Sequence, residues 1–165
     1  MPTGSMHTTT VLTALALAGS LGARPLSAQA PLGDPCKLLT AAEVSGVLGI
    51  KSLPGRPWLG TSKASCFFSA DTSYDLSARS ATVMVITTAA FDFGKQMASH
   101  GPLAGRSAGV GEDSYYVSAG SYAKLGVLKG DHAFSVTVTR GAGKETIDQL
   151  ADLEKALAKD AVARL

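Results

Sequence analysis

Two rhythms of apolar and polar positions run along the chain. In the first, Val44, Val47 and Leu48 recur at helical spacing behind Thr40-Ala41-Ala42-Glu43. Thr40 with Glu43 three positions on is a capping box: the hydroxyl takes a free amide and the carboxylate reaches back. Leu39 is placed to staple onto Val44, and Gly49 stops the helix. The last segment, residues 144–164, carries a second helical stripe made of Ile147, Leu150, Ala151, Leu157, Ala158 and Ala161, continued by Leu165 just after it. Residues 91–100 read as a short helix weakened by Gly94.

The second rhythm is strict alternation. Residues 63–70, with Cys66-Phe67-Phe68, read as a strand, and so do residues 81–89. There Val83, Val85 and Thr87 share one face, and Thr82, Met84 and Ile86 the other. Residues 113–118, 121–128 and 132–139 form a meander, turned by Ala119-Gly120 and Gly130-Asp131. Tyr115 and Tyr116 must point apart, which predicts one in the core and one outward. Residues 54–60 hold two prolines and two glycines and read as a loop. The order α-β-β-α-β-β-β-α predicts an α+β fold. Short links imply mostly antiparallel pairing, so the expectation is a two-layer sandwich with a curved sheet of about five strands packed by helices.

The N-terminal segment changes the picture by giving a compartment. Residues 11–23 are almost wholly apolar or small, yet too short to span a bilayer. Arg24-Pro25 follows, then Ala28 and Ala30 in A-x-A spacing. Residues 1–30 therefore read as a signal peptide, cleaved after Ala28 or Ala30, although the stretch before the apolar run lacks Lys and Arg. Met6 is an alternative start. Residues 31–165 would form one domain, secreted or periplasmic. No cysteine stands at the cleavage site for a lipid, and no later apolar segment could serve as a transmembrane anchor.

Charge excludes one class of partner. Fifteen basic residues face thirteen acidic ones, and Arg24 leaves with the signal peptide. A nearly neutral domain without a basic run does not fit nucleic-acid binding. The cysteines add a constraint. Cys36 and Cys66 are the only two, and in an exported chain two cysteines generally pair. A redox or metal role lacks C-x-x-C spacing and a neighbouring His; free thiols are the remaining alternative.

Candidate chemistry is sparse. Gly141-Ala142-Gly143-Lys144-Glu145 opens a helix as a phosphate loop does, but Val138 stands where the first glycine is needed, and Glu145 stands where Ser or Thr is needed. The loop at residues 101–111 is glycine-rich, but it precedes a strand and runs into Glu112-Asp113, the wrong order and charge for a dinucleotide. Positive φ at its glycines explains it better. His100 and His132 fall in different elements, with His132 expected exposed at a hairpin tip, and no G-x-S-x-G marks a nucleophile. No metal site or cofactor is implied. Trp58, the sole tryptophan, together with Arg106 and Tyr116, remain as candidate ligand or partner contacts.

Two segments carry a resemblance. Asp34-Pro35-Cys36-Lys37-Leu38-Leu39-Thr40-Ala41-Ala42-Glu43-Val44, with Leu48-Gly49 after it, resembles the start of a family of small bacterial envelope proteins of unknown function, many of them actinobacterial lipoproteins. Gly109-Val110-Gly111-Glu112-Asp113-Ser114-Tyr115-Tyr116 and the hairpin at Lys129-Gly130-Asp131 are similar to its second hallmark, and Cys66 matches its second cysteine. The resemblance spans about residues 34–160. It implies a PsbP-like or LpqN-type fold, a curved antiparallel sheet with helices on it, and supplies no catalytic residues. The expected function is an exported, non-enzymatic binding or interaction module for a protein, a peptide or a small apolar ligand. The alternatives are a small extracytoplasmic hydrolase using His100 or His132, and a structural envelope component.

Overall fold

In the structure, a computed structural model, residues 33–59, 62–75, 77–119 and 122–165 are described. The signal peptide expected over residues 1–30 and the turn position Gly120 lie outside them. Among the described residues, six strands form one open antiparallel sheet: β1 (Arg56–Trp58), β2 (Ser62–Ser69), β3 (Ser80–Ile86), β4 (Asp113–Ala119), β5 (Tyr122–Lys129) and β6 (His132–Thr139). Their order across the sheet is β1-β2-β3-β6-β5-β4. The helices are α1 (Ala41–Leu48), α2 (Thr88–Met97) and α3 (Ile147–Val162), preceded by a 3-10 turn at Pro35–Lys37. This is the expected α+β class, with six strands in place of about five.

The extra strand is β1, inside the segment read as a loop. Pro57 pairs opposite Cys66, and the register slips between Pro57 and Trp58. A proline is tolerated there because β1 is an edge strand, where one missing donor breaks no inner ladder. Two boundaries also move. β3 ends at Ile86, and Thr87 becomes the cap of α2, its side chain accepting from Ala90 N at 3.1 Å. Thr146 caps α3 in the same way, so that helix begins at Ile147.

The local signals around α1 hold as read. Thr40 Oγ1 accepts from Glu43 N at 3.3 Å, and Glu43 Oε2 accepts from Thr40 N at 2.7 Å. Gly49 closes the helix with φ of 66°, a left-handed conformation that costs glycine little. Arg164, at the end of α3, donates to Glu43 Oε1 at 2.5 Å and ties the two helices together. Thr40→Ala is expected to cost about 1 kcal/mol, read as a lower midpoint in urea at unchanged slope.

Helices lie on both faces of the sheet. α1 and α3 cover one face, over a core that includes Val44, Leu48, Phe68, Val83, Leu125, Phe134, Val136, Leu150 and Leu157. α2 covers part of the other face, where Phe91, Tyr115 and Ala133 form a second cluster. Adjacent strand residues point to opposite faces, so both tyrosines of β4 are buried: Tyr116 beneath α3 and Tyr115 beneath α2. The expectation of one outward tyrosine fails because a helix lands on each face.

Cys36 and Cys66 lie at disulfide distance, with Cα atoms 5.0 Å apart, and join the 3-10 turn to β2. Among the described residues no helix is long and apolar enough to cross a membrane.

Candidate functional site

The strand registers define what α2 leaves uncovered. On its face, Phe67, Thr82, Thr137 and Lys124 stand in one row across β2, β3, β6 and β5. Ser80, Thr139 and Tyr122 form the row on one side, and Met84, Ser135 and Gly126 the row on the other. Further along, Ile86, Ala133 and Leu128 lie beneath α2 with Phe91. The uncovered part is a groove of about 330 Å³ lined by Trp58, Thr82, Met84, Tyr122, Thr137 and Thr139. Met84 is 43% exposed and Tyr122 37%. These large side chains face solvent where a sheet usually shows charged ones.

Trp58 is held firmly at one wall. Its ring meets Phe67 edge-on at 4.8 Å and Tyr74 edge-on at 5.6 Å. The Arg56 guanidinium lies over both partners, 5.2 Å from the Phe67 ring and 5.0 Å from the Tyr74 ring. Arg56 Nη2 donates to Ser73 O at 2.6 Å and Ser69 Oγ at 3.1 Å, and the Tyr74 hydroxyl donates to Pro57 O at 2.9 Å. A tryptophan on a three-residue edge strand is thereby fixed before any ligand arrives. Next to it, Leu59 is 61% exposed and has φ of 52°. That conformation is strained for leucine.

Arg106 and Tyr116 come together elsewhere. They line a depression of about 310 Å³ along β4, with Lys95, Ser99, Leu103, Asp113 and Tyr115 among its walls. Its charges are already matched. Arg106 reaches Asp148 at 2.5 Å and Asp152 at 2.6 Å, and Lys95 reaches Asp113 at 2.5 Å. The Arg106 guanidinium also sits 5.5 Å from the Tyr116 ring. Tyr116 is 2% exposed, and its hydroxyl donates to Ala151 O at 3.2 Å. Burial pushes this phenol up to about 12. Here Arg106 pins the glycine-rich loop to α3 and Tyr116 anchors β4 beneath it.

The histidines do not converge. His132 is partly buried, not exposed as expected, and its Nε2 lies 3.4 Å from Asp131 Oδ1 on the same hairpin. His100 sits in the exposed loop after α2. Among the described residues no three His, Cys, Asp or Glu side chains are placed to hold a metal ion.

Sequence reasoning found Trp58 and missed the rest of the groove. The alternation of Thr82 and Met84 was legible, and so was that of Thr137 and Thr139. A useful signal was present: the outward positions of two neighbouring strands carry no charge. No protein-family model, curated protein or solved structure matches this chain.

Proposed function

We propose that this protein is an exported, non-enzymatic binding module that takes a small, uncharged, largely apolar ligand in the groove between Trp58 and Tyr122. The observation that carries the reading is the lining itself. Two aromatics, a methionine and three threonines surround the space, without a Lys, Arg, Asp, Glu or His among them. A cation would shed water there and find no counter-charge, while an anion would have Lys124 beside Thr137 on β5, outside the lining. An apolar ligand would gain by covering Met84 and the aromatic rings. The threonine hydroxyls can meet one or two polar atoms and so orient the ligand. Fixation of Trp58 by Phe67, Tyr74 and Arg56 supports the same reading, because a wall ordered in advance loses little entropy on binding.

Export is supported by the apolar segment at residues 11–23, by the A-x-A spacing after it and by the pair at disulfide distance. The resemblance to small bacterial envelope proteins belongs to this proposal and agrees with an extracytoplasmic binding role.

Trp58 is the only tryptophan, so its emission reports on the groove directly. Titration with the neutral probe N-phenyl-1-naphthylamine is expected to quench that emission and brighten the probe. Thr137→Asp, placing a charge on the groove floor, should weaken binding by at least about tenfold. Arg106→Ala, in the other depression, should leave the affinity unchanged. A probe that fails to bind, or binds the Thr137→Asp protein equally well, overturns the assignment.

A further inference from the structure

We propose that Glu154 is a proton-operated latch for α3: neutral, it holds the helix on the sheet, and its ionisation releases α3 from β5 and β6. Glu154 stands in the middle of the buried stripe of α3, between Leu150 one turn before and Leu157 and Ala158 one turn after. It is fully buried. Oε1 accepts from the Val138 amide at 3.0 Å, and Oε2 is buried with no hydrogen-bond partner among the described residues. A buried carboxylate needs a counter-charge or several donors, and this one receives a single amide.

The surrounding groups do not supply the missing charge. From β4, Tyr116 stands nearby with its hydroxyl committed to Ala151 O. From β6 comes the Val138 amide. From β5, Lys124 acts on Glu154, but by register it belongs to the opposite face, in the row of Thr137. On α3 itself Asp152 is bound to Arg106, and Glu43 of α1 is bound to Arg164 near the far end of the helix. Burial therefore drives the Glu154 carboxyl well above its ordinary value, and the Val138 amide and Lys124 offset only part of the rise.

The consequence for stability has a definite sign. An unfolded chain releases the proton near the ordinary value of 4.5, while the folded protein keeps it. The contribution of Glu154 is thus complete below that pH, is lost as pH climbs toward the raised folded value, and is flat beyond it. Val138 lies between the groove residues Thr137 and Thr139, so the latch sits directly behind the groove floor. The inference does not depend on what the groove binds.

The test compares thermal melts of the unmodified protein and Glu154→Gln from about pH 4.5 to about pH 8.5. The gap between them should widen with pH, and at the upper end Glu154→Gln should melt about 5 °C or more above the unmodified protein. Parallel profiles overturn the proposal. Should Glu154→Gln fail to fold, Glu154→Leu takes its place, and carbon NMR of the Glu154 carboxyl in the unmodified protein gives the titration directly. An ordinary glutamate titration there also overturns it. Release of α3 is read by amide exchange. Protection of the α3 amides should fall with pH in the unmodified protein more steeply than in Glu154→Gln. Equal exchange profiles rule out the release.

Discussion

Reducing the Cys36–Cys66 bridge is expected to lower stability by about 3–4 kcal/mol and the melting temperature by roughly 10–15 °C. The bridge spans 30 residues, a loop that contains α1 and β1. Cutting it restores to the unfolded chain the freedom of that whole segment. The folded state feels the loss locally too. Cys66 is fully buried in β2, opposite Pro57 of β1. The backbone at Gly55 lies so close that a Cβ there would stand 2.6 Å from the Cys66 sulfur. The bridge is therefore packed directly against the short strand that presents Trp58. Calorimetry with and without reductant, repeated on the Cys36→Ala/Cys66→Ala protein, gives the global term. Trp58 emission gives the local one and should shift to the red on reduction. An unchanged melting temperature in both comparisons would falsify the structural role of the pair. If the groove binds as proposed, reduced protein should also bind the probe more weakly, because its tryptophan wall is no longer fixed.

What could be read from the sequence separates along physical lines. Thr40, Glu43 and Gly49 were legible because capping and termination involve groups within a few residues of each other. The hairpin at Gly130 was legible for the same reason. β1 was not, because Pro57 is compatible with a strand only at a sheet edge, and edge position is set by the whole sheet. Arg106 was noticed for its loop, but its partners Asp148 and Asp152 lie 42 and 46 residues away. Its service as a tether was therefore invisible. The groove illustrates the same limit. That Thr82 and Met84 share a face follows from alternation alone. That this part of the face stays open follows from where α2 lands, and α2 is placed by Phe91 meeting Tyr115 with ring centres 5.1 Å apart. Glu154 was passed over because a charged residue inside an apolar stripe reads as an interruption, although its spacing from Leu150 and Leu157 fits the stripe.

The same substitution, glycine to alanine, should have opposite signs at different places in this protein. In α1, Gly46 faces open space, with nothing within 4 Å of where a Cβ would stand. Gly46→Ala should stabilise the protein by about 0.5–1 kcal/mol through helix propensity alone. In α2, Gly94 carries the same intrinsic penalty, and from the sequence it looks like a defect in the helix. The structure supplies its reason: a Cβ at Gly94 would overlap the Tyr115 hydroxyl, and one at Gly126 of β5 would overlap the Tyr115 ring. Tyr115 is 5% exposed and fills the space between helix and sheet that these two glycines leave. Gly126→Ala has no compensating helix gain and should cost about 1–3 kcal/mol, at the upper end because strand backbone cannot move aside. Gly94→Ala should cost less, the clash being partly offset by propensity. Denaturant midpoints of the three variants check the order Gly46→Ala above the unmodified protein, then Gly94→Ala, then Gly126→Ala. Pairing Gly126→Ala with Tyr115→Leu should recover part of the loss, since leucine vacates the ring volume that the new methyl enters. Additive losses in that pair would mean that Tyr115 is not what the glycine accommodates. Since the Tyr115–Phe91 contact seats α2, the same variants test whether that helix sets the end of the groove. Gly126→Ala should change probe binding by enlarging the open face, while Gly46→Ala leaves it untouched.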